Sequence, residues 1–131
     1  MNIGQASAAC GVTTKMIRYY ESIGLTRPVQ RTGSGYRLYT DADVNTLRFI
    51  RRAREFGLPI ERIRVLVELW QDDTRASRDV KQIALHHVAE LRVEIARMTA
   101  MADALQRLAD DCQGDHRPDC PILRDMERRP D

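Results

Sequence analysis

The sequence predicts a mainly α-helical protein: a winged helix-turn-helix module, then one long helix, then a C-terminal loop bracketed by cysteines. Three observations carry that expectation. Two short amphipathic segments meet at Gly11, the spacing of a helix-turn-helix. A Gly33-Ser34-Gly35 turn precedes the alternating Tyr36, Arg37, Leu38 and Tyr39, the pattern of a small hairpin. From Ser77 to Ala109 there is neither glycine nor proline, and Ala84, Val88, Leu91, Ile95, Met98, Ala102 and Leu105 recur at spacings of four and three, which is a heptad seam.

The elements follow in order. Ile3, Ala6, Ala9 and Cys10 line a first helix that Gly11 stops in a left-handed cap. Thr13 or Thr14 caps the second helix, whose inward stripe is Met16, Ile17, Tyr20 and Ile23, ending at Gly24. Pro28 breaks helicity before the hairpin. Thr40 caps a third helix with Asp43 three residues on, and Gly57 ends it. Pro59 suits the first position of a fourth helix with Ile60, Ile63, Val67 and Trp70 on one face. The expected organisation is a module over residues 1–70, a polar connector at 71–76, a long helix at 77–109 and a loop with a short helix at 110–131.

Composition narrows the function classes. The chain has 131 residues, 43% hydrophobic and 31% charged, and no run long enough to span a membrane. The start lacks the basic and apolar regions of a signal peptide, so a reducing cytoplasm is expected. Residues 1–70 carry 11 Lys/Arg against 6 Asp/Glu, and the remainder 10 against 13. A basic half suits a polyanion. A seam on a helix of some 33 residues needs a partner helix, so a homodimer is expected. No nucleophile–base pair is evident around the cysteines, so an enzyme is not expected.

Cys112 and Cys120 bracket "QGDHRPD". Seven intervening residues do not fit a structural zinc knuckle, and no second cysteine pair completes four ligands. Two soft thiolates suit one soft monovalent ion per subunit: copper(I) first, with silver(I) and gold(I) as chemical equivalents. Cys120 precedes Pro121-Ile122-Leu123, a short helix whose N-terminus favours a thiolate. Asp111, Asp115, His116 and Asp119 read as solvated loop residues, and Cys10 as core. His86 and His87 read as packing or surface groups. The same spacing permits a Cys112–Cys120 disulfide, so a thiol redox switch is the second reading.

The segments "TTKMIRYYESIGL", "GYRLYT" and "IRRAREFGLPIERI" resemble the MerR family of transcription regulators, over nearly the whole chain. "DCQGDHRPDCPI" and Ser77 resemble its copper-responsive (CueR-type) branch. The resemblance implies an antiparallel coiled coil, a palindromic double-stranded promoter, and RNA polymerase acting on that promoter. It further implies activation of copper, silver and gold detoxification genes by distorting DNA when a Cu(I)-like ion binds. Lys15, Arg18, Tyr20, Arg31, Tyr36, Arg37 and Arg54 are the expected DNA-binding residues, with Tyr19 and Tyr20 both flanking Lys15 and Arg18 so that one reaches a phosphate and the other packs inward, while Arg48, Arg51 and Arg52 read as intramolecular or solvated. Ser77 reads as the N-cap of the long helix. Divalent-sensing relatives hold a third cysteine at its position, so the resemblance makes Ser77 a selectivity residue as well.

Overall fold

The computed structural model describes residues 1–130. It contains six helices and one two-stranded antiparallel sheet among those residues. The first compact unit is Met1–Ile83 and the second begins at Ala84, so the connector at 71–76 and the first turns of the long helix belong to the first unit.

Helix α1 (Ile3–Cys10) opens on a capping box between Asn2 and Gln5. It stops at Gly11, whose φ of 75° is the left-handed region. The left-handed backbone is what calls for glycine, since a Cβ there would meet only the flexible end of the Arg51 side chain at 2.9 Å, which can swing aside. Helix α2 (Thr14–Ser22) is capped by Thr13, whose hydroxyl accepts from the Met16 amide. The wing comprises β1 (Gln30–Arg31) and β2 (Arg37–Leu38), paired Gln30 to Leu38 and Arg31 to Arg37. Beyond that short ladder, Tyr39 exchanges two backbone hydrogen bonds with Met1.

Helix α3 (Asp41–Glu55) begins with the expected reciprocal box between Thr40 and Asp43. Helix α4 (Ile60–Trp70) starts one residue later than expected: Pro59 is its N-cap, with extended backbone at ψ 155°, and not its first helical residue. Both positions tolerate the fixed φ of proline, so the pattern alone does not separate them. Ala6, Cys10, Ile17, Tyr20, Tyr39, Leu47, Ile50, Ile63 and Val67 close one core among α1 to α4, and Phe49 stacks on Trp70 at its edge.

Arginines fasten these helices together. Arg48 donates to the Ala9 carbonyl at the end of α1, and Arg64 donates to the Ile23 and Gly24 carbonyls at the end of α2. Each satisfies carbonyls that a helix end leaves without an intrahelical partner. Arg27 pairs with buried Asp43 at 3.0 Å. Arg51 and Arg52 pair with Glu55, and Arg52 also covers the Phe56 ring. A good share of the positive charge in the basic half therefore serves the fold.

Helix α5 (Ser77–Asp111) has 35 residues and is about 52 Å long. Ser77, the expected N-cap, stands at the first turn of this helix, with Ala76 before it. Val88, Leu91, Ile95, Met98 and Leu105 of the heptad seam all stand exposed. Helix α6 (Pro121–Met126) follows the cysteine loop, with proline at its first turn and Cys120 as N-cap.

Candidate metal centre and nucleic-acid interface

The end of α5 and the start of α6 bring the two loop cysteines together. Cys112 lies one residue past the helix, its amide still bonded to the Ala109 carbonyl, and Gly114 turns the chain with φ 65°. Cys112 Sγ donates to Cys120 Sγ across 4.0 Å. Metal–sulfur bonds of about 2.3 Å let one ion bridge two sulfurs up to about 4.6 Å apart, so this separation fits a shared ion. Both thiols are free and only partly covered.

The Leu123 amide, helped by that of Ile122 and by the Cys112 thiol, holds the Cys120 thiol below its usual value; partial burial and the Asp119 carboxylate oppose the shift. The N-terminal amides of α6 thus stabilise negative charge on this sulfur. No group of three or more His, Cys, Asp or Glu side chains able to hold a metal exists among the described residues. The loop carboxylates are engaged elsewhere: Asp115 with Arg117 at 2.8 Å, and Asp119 with Arg124 at 3.2 Å. Two facing sulfurs are a donor set for a thiophilic metal ion.

Cys10 is buried in the core, as expected. His86 is exposed and pairs with Glu90 at 3.0 Å, whereas His87 is buried. Ser77 is exposed.

On the first unit, Lys15 and Arg18 are exposed on one face of α2, one turn apart. Tyr20 needs correction. It is 4% exposed and packs in the core, while Tyr19 is 47% exposed. Three residues after Ile17, Tyr20 falls on the inward face, and its place in the apolar stripe was itself the available signal. Of the two adjacent tyrosines, Tyr19 is the one that stands open to solvent.

Tyr36, at 73% exposed, projects from the wing tip. Arg31 is exposed, with one guanidinium nitrogen donating to the Gly35 carbonyl. Arg54 is exposed near the end of α3 and donates weakly to the Leu58 carbonyl at 3.4 Å. Arg37 is largely covered and engaged within the fold. Its Nε donates to Glu21 on α2 at 2.9 Å, with the two side chains only 24% and 15% exposed.

Two helices joined by a tight turn, a hairpin wing and a third and fourth helix that buttress them define a winged helix-turn-helix protein. The chain matches the family described as "MerR HTH family regulatory protein" over residues 1–69, and "MerR, DNA binding" over residues 44–108. It is 56% identical over 128 residues to the HTH-type transcriptional regulator HmrR of Sinorhizobium medicae, covering 98% of this chain and 87% of that protein. It is 41% identical over 126 residues to the HTH-type transcriptional regulator CueR of Salmonella typhimurium, covering 96% and 91%. The solved structure of PbrR691 from Ralstonia metallidurans in complex with lead(II) superposes with a TM-score of 0.84 at 27% identity, over 96% of this chain and 98% of that one. The chain belongs to the MerR family. That family consists of transcriptional regulators and not enzymes.

Proposed function

We propose that this protein is a homodimeric, metal-responsive transcription regulator. It grips a palindromic promoter with two copies of the Met1–Ile83 unit and senses a Cu(I)-like ion with Cys112 and Cys120. The single observation that carries this reading is the facing pair of sulfurs at 4.0 Å, with no third metal-ligating side chain grouped with them among the described residues. Thiolates at low coordination number select copper(I), silver(I) or gold(I), one per subunit, over harder divalent ions. The CueR and lead(II)-complex relatives support a metal effector. Ser77 supplies no thiolate where divalent-sensing relatives carry a cysteine, which favours the monovalent class.

The exposed seam of α5 is the dimerisation surface, an antiparallel coiled coil with the partner's α5. Lys15, Arg18, Tyr19, Arg31, Tyr36 and Arg54 meet the duplex, the two on α2 in the major groove and those of the wing on phosphates. Capture of the ion by the two thiolates orders the loop and α6 and shifts the dimer between two states of the DNA grip. The ion-bound state distorts the promoter so that RNA polymerase engages both of its elements, switching on copper, silver and gold detoxification genes. The site of action is the cytoplasm.

Titration of the reduced protein with copper(I) and zinc(II), paired with transcription in vitro from the promoter preceding its own gene, tests this reading. Tight copper(I) uptake at one ion per subunit, with induced transcript, is expected. Cys112→Ser and Cys120→Ser each abolish induction while promoter occupancy stays close to wild type. Loss of occupancy would make the loop structural. Ser77→Cys gains a zinc(II) response, and an unchanged response removes the selectivity role of Ser77.

The two sulfurs also favour a second reading, a redox-sensing regulator that closes a Cys112–Cys120 disulfide. A transcript that responds to oxidation of metal-free protein, and not to copper(I), identifies it.

A further inference from the structure

We propose that Glu21 and Arg37 form a strut that positions the wing against α2, so that acidic Glu21 strengthens DNA binding. The proposal rests on α2 and the wing being the DNA interface. Arg37 Nε donates to Glu21 Oε2 at 2.9 Å, joining β2 to α2 across sixteen positions of chain. Both side chains are largely covered, in contrast to Lys15, Arg18 and Arg31, which stand open to solvent.

The wing needs such a tie. Its ladder has only two paired positions, and a two-stranded ribbon of that length does not hold itself in place. Arg31, directly opposite Arg37 in the register, spends its bond within the wing on the Gly35 carbonyl. Tyr39 anchors the far end of β2 in the core, beside the same pair. Burial first, and then the Glu21 carboxylate, push its hydroxyl up, while Arg37 acts in the opposite sense. Glu21 also lies one helical turn beyond Arg18, on the face that carries the positive charge.

That placement separates two physical effects by sign. As a free negative charge near phosphates, Glu21 would weaken binding, and neutralising it would tighten the complex. As half of a strut, it fixes the distance between wing and helix, and neutralising it loosens two groups of phosphate contacts that must be engaged together. The same logic distinguishes the roles of Arg37. A lysine keeps the charge a phosphate needs but lacks the planar Nε fork that meets Glu21.

The test is fluorescence anisotropy of the full-length reduced protein on a labelled duplex of the promoter preceding its own gene, over a salt titration. Glu21→Gln and Arg37→Lys each weaken binding roughly tenfold, the middle of what contacting pairs show. The double variant is no weaker than either single one, and the slope of log affinity against log salt stays at the wild-type value. Thermal melts confirm that each variant is folded at the temperature of the assay. Should Glu21→Gln not fold, Arg37→Lys decides alone, and wild-type affinity overturns the strut. Tight binding by folded Glu21→Gln overturns it as well. So does a salt slope reduced by about one phosphate in Arg37→Met, because that marks a direct contact. Wild-type protein that fails to bind the duplex overturns the interface reading and the strut with it; the other adverse outcomes remove the strut alone.

Discussion

Ile50 and Ile95 are the same side chain in two different settings. Ile50, on α3, is fully buried among α1 to α4, whereas Ile95, on α5, is 59% exposed. Burying such a side chain contributes about 1.5–3 kcal/mol. The first unit collects that contribution many times within one chain, because its helices are short and arginine-fastened. Along the seam of α5 it goes uncollected. Stability of the first unit is thus intrinsic to the chain, while in the proposed dimer that of the seam depends on the partner helix and therefore on concentration.

The largest effect follows from breaking the seam. Ile95→Glu places a charge in the middle of the surface proposed to meet a partner helix, and an unpaired charge is costly to bury. Sedimentation should show monomer, and promoter affinity should fall about a hundredfold or more as two linked half-site contacts become independent. Near-ultraviolet dichroism of the full-length variant, dominated by Trp70 stacked on Phe49 in the Met1–Ile83 unit, should change little, since Ile95 lies outside that unit. A variant that stays dimeric would locate the interface elsewhere on α5 and erase the contrast with Ile50.

Much of this architecture was legible in local pattern. Thr13, Thr40, Gly11 and Gly57 mark helix ends because caps and left-handed stops are chemistry of a few consecutive residues. The wing turn, the seam and the cysteine pair are legible for the same reason. What local pattern could not supply is the partner of a charge. Arg48 meets Ala9 and Arg64 meets Gly24, at separations of 39 and 40 residues, and Arg37 finds Glu21 on another element. A long flexible cation looks alike in sequence whether it faces a phosphate or a helix end. Tyr20 is a different case. Its period places it inward, and the adjacent Tyr19 is the one left open to solvent.

A smaller effect sharpens the contrast from the side of the intrinsic core. Asp43 caps α3 and pairs with Arg27 while largely covered. Burial pushes its carboxyl up, but the Thr40 amide, Arg27 and the Thr40 hydroxyl together hold it below its ordinary value. A carboxyl depressed in the folded state adds stability that is fully present above its unfolded value, about 3.9, and is lost as pH falls through the folded value. Asp43→Asn should cost about 1–3 kcal/mol near neutrality. The gap between variant and wild type should close as denaturant melts are taken to pH below about 4. Equal losses at every pH would mean that the cap geometry, and not the charge, is what Asp43 contributes.

The smallest effect tests how completely the first unit satisfies itself. The Tyr39 hydroxyl is buried without a hydrogen-bond partner among the described residues. Leaving a buried polar group unpaired costs its desolvation, whereas removing it altogether is near neutral or favourable. Tyr39→Phe keeps the ring that anchors β2 and should therefore leave the melting temperature unchanged or raised, with a shift worth no more than about 1 kcal/mol. DNA affinity should stay within twofold or so of wild type, because the Glu21–Arg37 bond does not pass through this oxygen. A clear loss of stability would show that the hydroxyl is hydrogen-bonded in solution, and the self-contained core would then depend on one more polar contact than its side chains provide.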